Sequence, residues 1–180
     1  RNMSVAIPYG IIGGLLTIFI GTFFLKLTPH TSSLISPDFS ATASIVTGSI
    51  IPVSFAVAFN IIGQWLITAP AEEAGYRIVA PFAALSAFGS EFVAFGIATL
   101  LWVFTHVPTY VNQNAPIGMY FILVFLALVT IFLIKITGTI MSAIVAHATY
   151  NTVVIMMAAP ADGITIFVIL TIFITLLYIW

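Results

Sequence analysis

Long apolar runs separated by short polar stretches are the feature of this chain that most restricts its fold. Of its 180 residues, 62% are hydrophobic and 5% are charged, whereas a typical soluble domain contains about 25% charged residues. A membrane-spanning helix needs about 20 apolar residues, which leaves room for six or seven of them. We therefore predict an all-α, polytopic membrane protein with six to seven transmembrane helices, forming a single domain over residues 1–180.

The apolar runs divide the chain into seven predicted helices joined by short polar turns. The sequence contains no internal repeat and no low-complexity tract. It opens on Arg1 rather than Met, and its last apolar run stops at Trp180, so we expect the chain to be cropped at its ends. The predicted spans are 5–25, 44–67, 71–88, 91–107, 117–134, 139–158 and 164–180.

Prolines determine the predicted boundaries of the third span. Pro70 follows Thr68, which can serve as an N-cap, so the span is predicted to begin there. Glu72 and Glu73 then fall in its first turn, where the helix dipole favours carboxylates. Pro81 lies in the middle of the same span and predicts a bend.

Pro108 predicts the end of the fourth span, because the residue before a proline disfavours helical geometry. His106 then lies in the last turn, on the same side of the membrane as Glu72 if each span crosses once. Asn151 lies about 10 Å from the end of its own span at 1.5 Å per residue, so these residues meet only if that side is recessed. We predict a recessed, water-accessible site inside the bilayer.

Ionisable residues at membrane depth are energetically costly and usually mark function. Glu73 and Arg77 are four residues apart, so they share a helix face and can pair. Glu72 lies about 100° around the helix and remains available as a general base on water. The alternative is that Glu73 and Arg77 form a purely structural ion pair and that Glu72 is an additional carboxylate without a catalytic role.

Two histidines lie near these charges in the predicted topology. Trp102 and His106 are four residues apart, so the indole ring can pack beside the imidazole. A lone histidine near a helix end is, however, more often an interfacial residue than a catalyst. His147 and Asn151 also share a face and can donate to one oxygen, as in an oxyanion hole, or can bridge helices. Gln64 can likewise bond a catalytic group or bridge helices.

Three motifs in order resemble the CPBP family of CAAX-processing endopeptidases and bacteriocin-processing or immunity-related membrane proteins. That family has the pattern EExxxR, FxxxH and HxxxN/D on successive membrane helices, and the similar core here covers about residues 68–158. Trp102 stands where the family usually has Phe and keeps an aromatic ring. The motifs are EEAGYR from Glu72 to Arg77, WVFTH ending at His106, and HATYN from His147 to Asn151.

The resemblance implies an intramembrane glutamate protease that cuts a membrane-bound or prenylated peptide near its C-terminus. The resemblance implies a mechanism without metal. The same Glu and His residues can also hold zinc, but a zinc mechanism is the second choice because no HExxH spacing is present. It implies that Glu72 and His106 activate water, that His147 and Asn151 stabilise the oxyanion, and that Glu73, Arg77 and Trp102 orient the site.

Two other functions remain open. One is a non-catalytic partner-binding protein of the same fold, such as a bacteriocin-immunity factor. The other is a proton-coupled transporter, which predicts polar residues through the whole membrane, whereas here they cluster toward one side. The expected partners are a peptide or lipidated protein substrate and membrane lipid. A net charge of −1 without a basic cluster gives no support for nucleic-acid binding, and the lack of cysteine excludes thiolate catalysis.

Two features of the sequence predict opposite membrane orientations. The predicted topology puts Lys26 and Lys135 opposite the site and Arg1 on its side, so the positive-inside rule weakly places the site outside. The family resemblance implies a site open to the cytosol. We follow the resemblance, because three charges are few, and predict a multi-pass membrane protein whose site faces the cytosol.

Overall fold

The computed structural model describes residues 3–27, 53–112, 115, 117–158 and 169. Every regular element in these ranges is helical, which confirms the all-α class for the described residues. The predicted span 164–180 and the first part of span 44–67 lie outside them, apart from position 169. The helices are α1 (Met3–Leu27), α2 (residues 53–88), α3 (Glu91–Asn112), α4 (Gly118–Thr137) and α5 (Met141–Ala158).

Three of the described helices are long and apolar enough to cross a membrane. They are Ser4–Phe23 within α1, Glu91–Asn112 and Gly118–Thr137, while the apolar helix Met141–Met157 is shorter. Large aromatic side chains on their outer faces, such as Phe92 at 89% exposure, suit contact with acyl chains. Six to seven spans are therefore not confirmed by the described part of the chain.

Helix α2 is continuous where the sequence predicted two spans. Thr68 has helical torsion angles (φ −65°, ψ −59°) and makes no side-chain capping bond, so the predicted start of a new helix is wrong. A π-helical turn, Gln64–Thr68, precedes Pro70 instead, and the Ala69 N–H reaches back five residues to the Gln64 carbonyl. Glu72 and Glu73 therefore lie in mid-helix, away from any helix start, and the predicted dipole effect does not apply.

The second proline of α2 is accommodated in the same way. A π-helical turn, Gly75–Val79, ends two residues before Pro81, just as the first π turn ends two residues before Pro70. The wider turn eases the clash that a proline ring otherwise makes with the carbonyl four residues earlier. Helix α2 thus continues to Phe88, where Gly89 adopts a left-handed conformation (φ 67°) and ends it.

Helix α3 also extends beyond its predicted end. It runs through Pro108 to Asn112, so the prediction that His106 lies in the last turn is wrong. A proline disfavours the helix at the preceding residue without forbidding it. Here Tyr110 packs against the buried core and makes edge-to-face contacts with His106 and Tyr120, which hold the extra turn in place.

Glycines bring α1 into close contact with α5. A Cβ atom added at Gly10 would lie 2.6 Å from the Val145 Cβ, and one at Gly14 would lie 2.6 Å from the Ala146 carbonyl oxygen. Only glycine permits this approach, which is a common way for membrane helices to pack. Helix α1 thereby closes one side of α4 and α5, and α2 and α3 pack as a hairpin beside them.

The main buried cluster joins α3, α4 and α5 next to the polar residues of the three motifs. It consists of Trp102, Ile122, Leu123, Leu126, Ala127 and Tyr150.

Candidate active site

Three side chains from two other helices approach one carboxylate oxygen of α2, the Oε2 atom of Glu72. Trp102 donates its indole N–H to this oxygen over 2.6 Å. The Nε2 atom of His106 lies 4.0 Å from it and that of His147 lies 3.9 Å from it. The side chains of Glu72 and His106 are 28% and 26% exposed, so neither is fully enclosed by the protein. We call Glu72, Trp102, His106 and His147 the Glu72 site.

Glu73 is turned into the protein, away from the exposed side. Its side chain is 1% exposed, and its Oε1 accepts a hydrogen bond from His147 Nδ1 over 2.9 Å. A carboxylate accepts and does not donate in its ionised form, so the proton of this bond belongs to His147 Nδ1. The other oxygen, Oε2, lies 3.3 Å from Arg77 Nε, as the four-residue spacing predicts.

Arg77 is held by several groups at once. Its Nε–H donates to Thr130 over 2.9 Å and its Nη1 donates to the Tyr76 carbonyl over 3.3 Å. Because Nε–H points to Thr130, the contact with Glu73 is an ion pair without hydrogen-bond geometry. Within the described residues, Glu73 Oε2 and Arg77 Nη2 thus lack a hydrogen-bond partner. The guanidinium also lies 5.2 Å from the centre of the Trp102 ring.

His106 has a defined orientation. Its Nδ1 lies 2.8 Å from the Trp102 carbonyl oxygen, which can only accept, so Nδ1 carries a proton. In the neutral imidazole the lone pair is then on Nε2, the atom that faces Glu72. The Trp102 ring lies edge-on to this imidazole at 4.9 Å, close to the packing that the sequence predicts. His106 lies about 9 Å from the Asn112 end of α3, since each residue adds about 1.5 Å.

Asn151 lies one turn beyond His147 on α5 and contacts a different part of α2. Its Nδ2 donates to Gln64 Oε1 over 2.7 Å, and Gln64 donates in turn to Asn60 over 3.2 Å. The structure therefore brings Glu72, His106 and His147 together directly. Asn151 lies one turn farther along α5 than His147, where its amide is fixed by Gln64 at the first π turn.

The sequence around this site matches a known protein family. Residues 52–153, more than half of the chain, match the family described as Type II CAAX prenyl endopeptidase Rce1-like. This chain belongs to that family. Neither a curated protein nor a solved structure matches it. Membership of the Rce1-like family confirms the predicted resemblance and implies an intramembrane endopeptidase. Together with the three apolar helices, it points to an integral membrane protein.

Two hydrogen bonds of this Rce1-like chain were not predicted from its sequence. The Trp102 ring was predicted only to pack beside His106, yet its N–H bonds to Glu72. Spacing within one helix does not tell which way an indole N–H points across to another. Thr130 was not singled out, although a hydroxyl in an otherwise apolar helix is a signal, and it bonds Arg77.

The opposite end of α3 carries a separate charged pair. Glu91, the first residue of the helix, accepts a hydrogen bond from Lys135 over 2.9 Å, and both side chains are exposed. This pair is a surface contact far from the Glu72 site. Among the residues that the structure describes, no group of three or more His, Cys, Asp or Glu side chains is arranged to hold a metal ion.

Proposed function

We propose that this Rce1-like protein is an intramembrane glutamate endopeptidase in which Glu72 and His106 activate the attacking water. The observation that carries this proposal is the approach of Glu72 Oε2 to two imidazole Nε2 atoms, at 3.9 and 4.0 Å. Polar atoms separated by more than about 3.5 Å are often bridged by water. One water about 2.8 Å from Glu72 Oε2 and from His106 Nε2 fits this spacing.

The hydrogen-bond directions support that assignment. His106 donates its Nδ1 proton to the Trp102 carbonyl, so its Nε2 is an acceptor. Glu72 Oε2 is an acceptor as well. A water between them can donate both protons, which raises the electron density on its oxygen and directs a lone pair outward. This is the arrangement that a general-base mechanism requires.

The formal charges give His147 a different role. Glu72, Glu73 and Arg77 together carry a charge of −1, and a protonated His147 brings the cluster to zero. In that form the Nδ1 proton of His147 bonds Glu73 and the Nε2 proton points toward Glu72. His147 can therefore donate to a developing oxyanion.

The proposed hydrolysis has two steps, attack of water on the peptide carbonyl and loss of the amine. Water attacks the scissile carbonyl carbon and passes its proton to Glu72, while His147 and Asn151 donate to the oxyanion. One N–H of Asn151 is already bound to Gln64, which leaves the second for substrate. When the oxyanion collapses, the C–N bond breaks and Glu72 returns the proton to the leaving amine.

The substrate is a peptide bond near the C-terminus of a prenylated or otherwise membrane-bound protein. The family description supports this class, because it names a CAAX prenyl endopeptidase. The apolar exterior of the helices also suits a substrate that arrives through lipid. We propose that the site opens to the cytosol and that the reaction uses no metal, with a zinc hydrolase as the second candidate.

The test is cleavage of a prenylated C-terminal peptide by the purified chain in liposomes. Glu72→Gln and His106→Gln should each lower kcat by at least about 100-fold, the typical contribution of a general acid or base. The matched control is Glu91→Gln, which removes an exposed carboxylate at the other end of α3 and should leave kcat unchanged. Full activity in both site variants would contradict the proposal. Tight binding of a bacteriocin without any cleavage would favour a non-catalytic role.

A further inference from the structure

We propose that Trp102 is a positioning residue that holds the reacting oxygen of Glu72 through its indole N–H. This inference rests on the proposed function, since it assigns the general base to Glu72. The hydrogen bond is 2.6 Å long, short even for a donor facing a carboxylate. It reaches the same oxygen, Oε2, that faces the Nε2 atoms of His106 and His147.

The indole ring is fixed on several sides, so its N–H is a rigid donor. Trp102 is 1% exposed. The two imidazoles lie edge-on to its ring at 4.9 and 5.6 Å, and the Arg77 guanidinium lies 5.2 Å from its centre. A side chain confined in this way loses little further freedom when it makes a hydrogen bond.

The Glu72 side chain, in contrast to the indole ring, is not confined by its surroundings and requires a partner that fixes its position. It is the more exposed of the two adjacent carboxylates, with a side chain at 28% against 1% for Glu73. A long, partly exposed side chain otherwise samples several rotamers, most of which take Oε2 away from the imidazoles. Positioning of a reacting group within a fraction of an ångström is what makes it effective. A phenylalanine ring could fill the place of Trp102 but has no donor.

The test replaces only the donor. Trp102 is exchanged for β-(3-benzothienyl)alanine, which has the shape of tryptophan but carries sulfur in place of N–H. With a prenylated peptide in liposomes, kcat should fall about tenfold, the typical effect of losing one hydrogen bond to a charged group. KM should stay at the wild-type value, because the ring contacts that shape the site are kept.

A matched control uses another tryptophan. Trp65 donates its indole N–H to Thr152 over 2.9 Å and does not contact the Glu72 site directly in the described structure. The same exchange at Trp65 should leave kcat unchanged. Wild-type kcat for the Trp102 isostere would overturn the inference, as would an equal loss at Trp65.

The hydrogen bond from Trp102 to Glu72 can also be tested by NMR, without measuring cleavage. In protein labelled with ¹⁵N-tryptophan, the Trp102 indole proton should resonate downfield and shift upfield in Glu72→Leu. An unchanged resonance would overturn the inference. Wild-type kcat in Glu72→Gln would contradict both the catalytic role of Glu72 and the positioning role of Trp102. If Glu72→Gln is inactive but the protein with the tryptophan analogue at position 102 is fully active, only the role of Trp102 is contradicted.

Discussion

The buried carboxylate of Glu73 accepts a hydrogen bond from His147 Nδ1 at 2.9 Å, which fixes the imidazole with its Nε2 toward Glu72. The neighbouring residue Glu72 lies on the more exposed side of the same helix, with a side chain that is 28% exposed against 1% for Glu73. Two adjacent residues of α2 thus have different surroundings, as the separate roles proposed for them require.

Glu73→Gln should destabilise the protein as well as inactivate it. The substitution leaves the Arg77 guanidinium buried without its counter-charge, and breaking a buried pair in this way costs about 3–5 kcal/mol. The unfolding free energy can be measured by denaturant titration in detergent micelles. The control is Lys135→Gln, which breaks an exposed pair and should leave stability unchanged. Equal stability of Glu73→Gln and wild type would mean that the buried pair is not structurally important.

Gln64→Leu should lower kcat without changing KM for the peptide. The variant removes the acceptor that fixes the Asn151 amide, so the oxyanion donor is free to rotate. We expect a loss of about tenfold, smaller than the 100-fold or more typical of a deleted oxyanion donor. Asn60→Ala is the control, since it removes only the more distant 3.2 Å bond to Gln64. The assignment of Asn151 would be contradicted by wild-type kcat in Gln64→Leu.

Gly10→Ala should destabilise the packing of α1 on α5. The added methyl group would lie 2.6 Å from Val145 Cβ and 2.7 Å from the Ser142 carbonyl, so the helices must separate. Overpacking of this kind costs about 1–3 kcal/mol. Gly96→Ala is the control, because no heavy atom lies within 4 Å of its added Cβ and alanine favours the helix. The close approach of α1 would be wrong if both variants unfolded at the same denaturant concentration.

Chelation distinguishes the proposed mechanism from a zinc hydrolase. Cleavage should survive prolonged treatment with 1,10-phenanthroline, because water activation is assigned to Glu72 and His106 alone. The measurement is the initial rate of peptide cleavage before and after the chelator is removed by dialysis. A loss of activity that added Zn²⁺ restores would favour the metal mechanism instead.

The relations between residues on one helix could be predicted from the sequence, because they depend only on helical periodicity. The pairing of Glu73 with Arg77 and the packing of Trp102 on His106 follow from a spacing of four residues. The grouping of three motifs also predicted the family, which the match over residues 52–153 confirms.

Two helix boundaries were predicted wrongly, and both predictions rested on a proline. Pro70 indicated a helix start and Pro108 a helix end, from local preference alone. In the structure a π turn accommodates the first, and the packing of Tyr110 stabilises the helix beyond the second. Contacts between helices, such as that from Trp102 to Glu72, depend on rotation and depth that the sequence does not encode locally.

The most direct test of the central claim is a double-mutant cycle on kcat with Glu72→Gln, His106→Gln and the combined variant. If both residues act on one water, each single change removes most of the rate, and the combined variant loses little more than either alone. We predict a strongly non-additive cycle, with all three variants retaining the wild-type Tm. Losses that multiply in the combined variant, or single variants that retain wild-type kcat, would contradict the shared water.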